Sequence, residues 1–495
     1  MNREELIRCT PEEVGISSER ILEFLDKMND GHAEMHSLMI SRHDKIIAEG
    51  WWSPYSAGGR HVMMSTTKTV TGTMIGLMIK EGLLTLDTKI VDIIDAPDDR
   101  DPLYDQVTIR HLLTMSCGQE EACLMDEDYI NNFFHTPIKH VPGTDFYYND
   151  SAVTLLPYIL YKLTGLSIIE YLKPRLFDKI GIDTSNITWF NNAIGTAFGA
   201  GGLHWTTEDA LRHMMLYKNG GSWNGEQILD KEYVEMATSK QMPTNTHTPR
   251  TETLPKDNLY GYGFLMWKGS KPHTYRSEGA FGQITVVDPD LDMIVSFTEM
   301  NLREDPAAQE SMDRVFEFLN SIDSNEILPY NELSKEVSKR FSSLSLERPV
   351  YQPFGEVSYD TFKAVELGAH PEDLFYQQVK AHPISKLVTG ITEFTFRKIE
   401  ARLLVLEGII NGNNEVLYIP LDGSYRLNEI DEYFISKVLI SAYFEEGDLV
   451  VDFRWIESVF HKQLVFSFRD KKCGIRERVL HKANVDEVES VFEVK

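Results

Sequence analysis

Between residues 37 and 298 the apolar pattern is strand-like at both ends and helical between them, and this order limits the fold more than any other feature. Two apolar runs, 37–42 and 46–50, surround the polar turn His43-Asp44-Lys45, the pattern of a β-hairpin. Far along the chain, 283–287 and 293–298 flank the turn-rich connection Asp288-Pro-Asp-Leu-Asp292. The intervening segments 65–81, 109–115, 151–163, 168–176 and 208–219 have helical spacing, and 305–319 is a final amphipathic helix. Thr10-Pro-Glu-Glu13 starts an earlier one, with Thr10 as N-cap, Pro11 in the first turn and Glu13 completing a capping box. Strands so far apart share a sheet only if the chain ends come together. An α+β domain follows, its sheet closed by distant strands with helices between them.

After this region the character changes. Residues 321–354 are polar and charged, with Pro329, Pro349 and Pro353, and read as a linker. Beyond them come spaced short strands, among them 393–397, 403–407, 416–420, 449–455 and 463–468, the pattern of a small all-β sandwich or barrel. The division is therefore 1–320, a linker 321–354, and a β-rich domain 355–495.

Charge excludes some functions. With 76 acidic and 49 basic residues the net charge is −27, a field that repels phosphate backbones and anionic membrane surfaces. No nucleic acid and no membrane is expected as a partner. The four cysteines, Cys9, Cys117, Cys123 and Cys473, have no metal-knuckle or disulfide-framework spacing, and the first twenty residues lack an apolar core. The expected location is the cytoplasm, with reduced thiols. Fifteen histidines form no H-E-x-x-H, so neither a metal nor another cofactor is implied.

The segment that carries chemistry is Met64-Ser65-Thr66-Thr67-Lys68, an S-x-x-K at a helix start. Residues three apart on a helix share a face, so the Ser65 hydroxyl and the Lys68 amine can meet. Serine is a weak nucleophile until a base takes its proton, and lysine is such a base only when its pKa falls. By itself the motif is common by chance, and an ordinary solvated lysine at a helix start would look the same.

Its surroundings are more specific. Glu81-Gly82-Leu-Leu-Thr-Leu-Asp87 follows, then Thr108-Ile-Arg-His-Leu-Leu-Thr-Met-Ser-Cys-Gly118, then Pro142-Gly-Thr-Asp-Phe-Tyr-Tyr-Asn-Asp150. Farther on stand Gly199-Ala-Gly-Gly-Leu-His-Trp-Thr-Thr-Glu-Asp209, Asn219-Gly-Gly-Ser-Trp-Asn-Gly-Glu-Gln-Ile-Leu229 and Ser277-Glu-Gly-Ala-Phe-Gly-Gln-Ile-Thr-Val-Val-Asp-Pro289. In this order they resemble the serine β-lactamase-related superfamily of class C β-lactamases, low-molecular-mass penicillin-binding proteins and related esterases. The resemblance implies a β-lactamase/transpeptidase-like fold over the first domain and an acyl-enzyme serine hydrolase. Met115 stands where the family has histidine, and Cys117 intrudes before Gly118.

The resemblance also implies roles. Ser65 becomes the nucleophile and Lys68 its base. Tyr148, in the place of the tyrosine of Y-x-N, relays protons, although the frame Tyr147-Tyr148-Asn149 is an alternative. The N–H groups of Ser65 and Ala280 form the oxyanion hole. Asp150, Ser277, Glu278 and Gly279 line the substrate site, Gly279 letting substrate approach the backbone closely. Two departures bear on substrate. Asp150 replaces Asn and would hold Lys68 charged more firmly. Ser277-Glu278-Gly279 replaces K-T-G or H-x-G, and a glutamate there would repel a carboxylate unless its side chain points away from the cleft. Poor activity on β-lactams and D-Ala-D-Ala peptides is expected, with a neutral or cationic small-molecule ester, amide or peptide as substrate.

Other features have plainer readings. His61, His111, His140 and His204 invite a Ser-His-Asp reading, but no G-x-S-x-G elbow accompanies them. Trp51, Trp52 and Tyr55 fit the wall of the cleft or the core. The polar stretch 120–129 is a candidate lid. The β-rich region resembles the lipocalin-like domains appended to some superfamily members, through Trp455-Ile-Glu457 and Leu464-Val-Phe-Ser-Phe468. That resemblance leaves open whether it covers the cleft, binds a ligand or supports a homo-oligomer. Rival readings of the whole are a D-amino-acid peptidase or amidase, and a binding module that kept the fold without the chemistry.

Overall fold

The structure is a computed structural model, and it describes residues 5–120, 128–192, 194–244, 255–301, 307–323, 325–347, 355–367, 390–410, 412–430, 437–480 and 487–495. The chain forms two compact units, Met1–Leu344 and Ser345–Lys495.

In the first unit the main strands are β1 (Glu34–Arg42), β2 (Lys45–Trp51), β3 (Trp267–Lys268), β4 (Tyr275–Gly279), β5 (Gln283–Asp288) and β6 (Met293–Met300). They make one sheet in the order β2-β1-β6-β5-β4-β3. The N-terminal hairpin therefore pairs with the distant C-terminal one, Leu38 opposite Phe297 and Ile40 opposite Val295. The principal helices are α1 (Ser18–Met28), α2 (Thr67–Lys80), α3 (Asp150–Thr164), α4 (Thr207–Lys218), α5 (Ala307–Asn320) and α6 (Leu333–Ser342).

The two faces of the sheet are covered differently. On one, Ser37 and Thr298 share a hydrogen-bonded cluster with Thr207 of α4. On the other, Ser311 of α5 bonds Glu299, and Phe341 of α6 packs over Gly50. Phe24 of α1 stacks on Phe318 of α5 with centroids 4.4 Å apart.

Helix α2 is buried from Thr67 to Met78 on every side. A helix surrounded by protein has to satisfy its polar side chains locally. Here Thr69 donates to the Leu265 carbonyl, Thr71 to the Gly199 carbonyl, and Thr73 meets His213 and Tyr217. The hydroxyls fasten the central helix to the loops around it.

Two expectations need correction. Thr10 does cap a turn with its Glu13 box, but the turn is a single 3₁₀ turn, Pro11–Val14, closed by Gly15 at φ 78°. The helix proper starts later, with Ser17 as its cap. The stretch 321–354 is not simply a linker, because it contains α6, whose Val337 and Phe341 are buried. A polar composition concealed one apolar stripe. Cys9, Cys117 and Cys473 are free thiols, while Cys123 and most of the lid candidate, 121–127, lie outside the described residues. Among the described residues no single helix is long and apolar enough to cross a membrane.

The second unit is a single antiparallel sheet of ten strands. In chain order these are β7 (Thr361–Glu366), β8 (Ile391–Glu400), β9 (Leu403–Ile410), β10 (Asn413–Pro420) and β11 (Arg426–Glu429). They continue as β12 (Lys437–Glu445), β13 (Asp448–Trp455), β14 (His461–Arg469), β15 (Lys472–Val479) and β16 (Val488–Val494). The sheet order is β10-β9-β8-β7-β16-β15-β14-β13-β12-β11, an up-and-down meander whose first strand pairs with its last. The edge strands β10 and β11 meet through side chains of Asn428 and Arg426 at Tyr418. Asn428 accepts from the Tyr418 N–H at 2.7 Å and donates to the Tyr418 carbonyl at 3.0 Å, so its amide stands in for a peptide and nearly closes a barrel. Phe362, Phe394, Phe396, Phe466 and Phe492 fill the interior with edge and stacked ring contacts.

Candidate active site

Ser65 sits in the short 3₁₀ turn that leads into α2. The residue before it, Met64, has φ 45°, a conformation a non-glycine residue adopts at a cost and keeps only where packing imposes it. The packing is visible next door. A Cβ on Gly279 would lie 2.4 Å from the Met63 carbonyl oxygen and 3.1 Å from Met64. Gly279 is therefore required for contact between β4 and the turn that holds Ser65. The bare backbone expected to receive substrate is occupied by the protein itself.

Lys68 is 1% exposed. Its ammonium donates to Ser65 Oγ at 2.7 Å and to the Ala200 carbonyl at 2.7 Å, and it pairs with Asp150 at 2.8 Å. The Asp150 contact is an ion pair without hydrogen-bond geometry, since Asp150 Oδ1 has no hydrogen-bond partner among the described residues. Burial works to lower the lysine pKa, but the Asp150 carboxylate and Tyr148 outweigh burial and hold it above the ordinary lysine value. The base expected to have a depressed pKa is instead an ammonium in the resting protein.

Asp150 is the first residue of α3, where the helix dipole favours a carboxylate. Asn149, just before it, is the N-cap and accepts from the N–H groups of Ser151 and Ala152. Its amide donates to Gln119 at 2.9 Å. The cap thus takes Asn149 out of the cleft and leaves Asp150 facing Lys68, in the frame Tyr148-Asn149-Asp150.

The Tyr148 hydroxyl lies near Ser65 and Lys68 and interacts electrostatically with the lysine. Burial pushes its pKa up, so it is a neutral phenol. Its ring stacks on Trp267, centroids 5.5 Å apart at 12°, and Tyr262 meets it edge-on. Lys68 Nζ lies 4.9 Å from the centre of the same ring. Trp267 and Tyr262 escape a motif reading although they orient the phenol. The available signal was the alternation of glycine and aromatic residues in Tyr260-Gly-Tyr-Gly-Phe-Leu-Met-Trp267.

Ala280 begins the turn between β4 and β5, in which Gly282 donates to the Gly279 carbonyl. Gln283 Nε2 donates to the carbonyls of Ala280 and Glu299, and the Thr66 hydroxyl donates to the Gln283 carbonyl. The turn is thereby tied to Thr66, the residue after Ser65.

Ser277 is buried, and its hydroxyl has no hydrogen-bond partner among the described residues. Glu278 points to the other face, where Arg276 holds it at 2.7 Å and the Asn258 amide reaches it at 3.4 Å. Arg276 is fully buried and donates also to the carbonyls of Lys268 and Asp257 and to Asn258. The negative charge expected to repel a carboxylate is therefore largely offset by its neighbour.

The residues with plainer readings are engaged elsewhere. His61 bonds His36, with Tyr55 stacked on His36; His111 caps its own helix at Thr108; and His140 pairs with Glu120. His204 is buried against the Gly202 carbonyl. Trp52 is buried and donates to Asn29. Met115 supplies a thioether acceptor to the Asn149 N–H at 3.3 Å, so its sulfur helps hold the start of α3. Among the described residues no group of acidic, histidine or cysteine side chains is arranged to hold a metal ion.

The model of the Beta-lactamase family matches residues 23–310, more than half of the chain. This chain belongs to the Beta-lactamase family. Within it, a curated relative is the 6-aminohexanoate-dimer hydrolase of Paenarthrobacter ureafaciens, 22% identical over 287 residues that cover 52% of this chain and 71% of the relative. A solved penicillin-binding-protein homologue from Caulobacter crescentus superposes with a TM-score of 0.50 at 15% identity, covering 64% of this chain and all of the homologue. The likeness in structure is one of fold. The matched span contains both ends of the sheet in the first unit, the S-x-x-K helix and the Ala280 turn, and the β-lactamase family member adds the ten-stranded unit after it.

Proposed function

We propose that this Beta-lactamase family member is an acyl-enzyme serine hydrolase acting on small esters or amides. The observation that carries the reading is Lys68 Nζ, 2.7 Å from Ser65 Oγ and 4.9 Å from the centre of the Tyr148 ring. Ser65 attacks the carbonyl once Lys68 has released its proton and can accept the one from Oγ. The N–H groups of Ser65 and Ala280 hold the tetrahedral oxyanion. Tyr148, neutral at rest, donates to the leaving group and is reprotonated through Lys68. Water then attacks the acyl-enzyme and releases the acid.

An amide substrate is favoured by the likeness to a relative named 6-aminohexanoate-dimer hydrolase. A substrate held by a free carboxylate is disfavoured. Among the described residues, the charge of Lys68 is already offset by Asp150 and that of Arg276 by Glu278. Cephalosporins and D-Ala-D-Ala peptides should therefore turn over slowly compared with uncharged amides.

The test is intact-protein mass spectrometry after treatment with a fluorophosphonate, on the native protein and on Ser65→Ala. One adduct, lost in the variant, is expected. A folded native protein that takes no adduct would transfer the weight to a binding module that retains the fold. Given an adduct, p-nitrophenyl esters, D-amino-acid amides and a chromogenic cephalosporin then rank the substrate classes.

A further inference from the structure

Behind the Ala280 turn lies a carboxyl group that the proposed chemistry does not use. Glu299, on β6, is wholly buried. Its backbone N–H donates to the Gly282 carbonyl, and its side chain fills the space where Gly282 would carry a Cβ, with Cγ at 2.1 Å and Oε1 at 2.5 Å from that position. Gly282 has φ 92°, so both the backbone and the Glu299 side chain demand glycine there. The Asn301 amide donates to Glu299 Oε1 at 2.7 Å, and the Asn301 N–H donates to the Phe281 carbonyl. The turn that presents the Ala280 N–H thus rests on Glu299 and its neighbours.

The carboxyl is also wired outward. Ser311 Oγ lies 2.8 and 3.0 Å from its two oxygens, and His32 Nε2 lies 2.8 Å from Ser311 Oγ. On its other side His32 Nδ1 meets Asp30 at 2.8 Å. A neutral carboxyl donates to Ser311, which donates to His32. When the carboxyl gives up its proton to solvent, Ser311 turns to donate to Glu299, while burial holds His32 below the ordinary histidine value, so the imidazole stays neutral. The charged groups around the path are Arg314, Asp30 and Glu310. Arg314 bonds Asp30 at 2.6 Å and Glu310 at 3.2 Å, so its charge is mostly spent on them.

We propose that Glu299, with Ser311 and His32 behind it, is a positioning residue for the Ala280 oxyanion turn: neutral, it supports the turn, and ionised, it opposes the negative charge that forms there. The proposal rests on the reading of Ser65 as nucleophile and Ala280 as oxyanion donor. Burial pushes the Glu299 carboxyl up to about 8, against the smaller opposing pulls of Asn301, Ser311 and Arg314. The neutral form therefore prevails at pH 7, and the charged form appears under mildly alkaline conditions. A unit charge behind the oxyanion turn should slow acylation roughly tenfold.

The experiment compares second-order fluorophosphonate labelling rates of the native protein and Glu299→Gln from pH 6 to about pH 10, a range spanning the Glu299 transition. Gln keeps the shape and one acceptor but cannot ionise. The ratio of native to variant rates should be constant below pH 7 and fall roughly tenfold above pH 8. Ser311→Ala removes a bond that favours the ionised form, so the same fall should move to higher pH, which keeps the test alive if Glu299→Gln does not fold. Infrared difference spectra should show a protonated carboxyl band that titrates with the fall and is missing in Glu299→Gln. Labelling of both proteins at a ratio that is flat across the range overturns the positioning role and leaves Ser65 as the nucleophile. No labelling of either folded protein defeats the nucleophile itself, and the positioning role with it.

Discussion

The Lys68 ammonium decides how the site behaves with pH. Its contacts with Ser65, Ala200 and Asp150 favour the charged amine, and only the free amine can take the serine proton. Below the folded pKa of Lys68 the reactive fraction grows about tenfold per pH unit, so acylation of native protein should rise through the neutral range. Asp150→Asn removes the carboxylate that raises this pKa, leaving burial to lower it. The rising limb should move to lower pH by about one to two units, and labelling near pH 7 should become faster in the variant. A labelling profile identical to that of the native protein would mean that Lys68 does not act as the base. The Asp150 side of this argument was legible from residue type and motif position alone. Ala200, as a third partner for the lysine, was not. A backbone carbonyl has no signature in a sequence, and only the fold brings residue 200 against residue 68.

At the level of elements, α2 shows why strong local patterns are read well and packing is not. Its helical period, its glycine stop at Gly82 and its S-x-x-K start are properties of neighbouring residues, and the helix runs from Thr67 to Lys80 as that pattern suggests. What surrounds it depends on distant segments. Gly76 looks like a weak point in the helix, since glycine there costs about 1 kcal/mol relative to alanine by propensity. Its reason lies 157 positions away in Tyr233, whose ring carbons would be 2.6 and 2.7 Å from a Cβ, with Leu229 at 3.0 Å. The same tyrosine donates its hydroxyl to the Gly72 carbonyl at 2.6 Å, so the ring cannot swing aside without losing that bond. Overpacking of this kind costs about 1–3 kcal/mol, which exceeds the propensity gain. Gly76→Ala should therefore lower the urea midpoint of the first unit, whereas a rise would mean that the ring relocates freely. The aromatic wall of Tyr262 and Trp267 around Tyr148 was hidden for the same reason: the two lie more than a hundred residues from the tyrosine they hold.

For the molecule as a whole, the two units raise different problems of closure. The first closes its sheet with strands from opposite ends of its sequence, and β1 and β6 are joined by a backbone ladder from Glu34 to Arg42 that a bulge interrupts between Met35 and Ser37. That closure could be anticipated, because both hairpins have clear turn signals and apolar runs. The second unit closes where β11 is only four residues long and cannot supply a ladder to β10. Its closure depends on Asn428, which is 6% exposed and spends its amide on Tyr418 and on the Arg426 carbonyl. The Arg426 guanidinium covers the Tyr418 ring at 4.2 Å from its centre, protecting the junction from water. Asn428→Ala would strand a part-buried N–H and C=O of Tyr418, at a cost of about 1–3 kcal/mol for buried groups left unpaired. The expected result is a lower thermal transition and faster amide exchange at Tyr418 and along β10, with Ser65 labelling by fluorophosphonate unchanged. Unchanged exchange at Tyr418 would mean that water closes the gap as well as the side chain does. A fall in labelling would instead tie the state of the ten-stranded unit to that of the hydrolase site, a dependence that the contacts within either unit give no reason to expect.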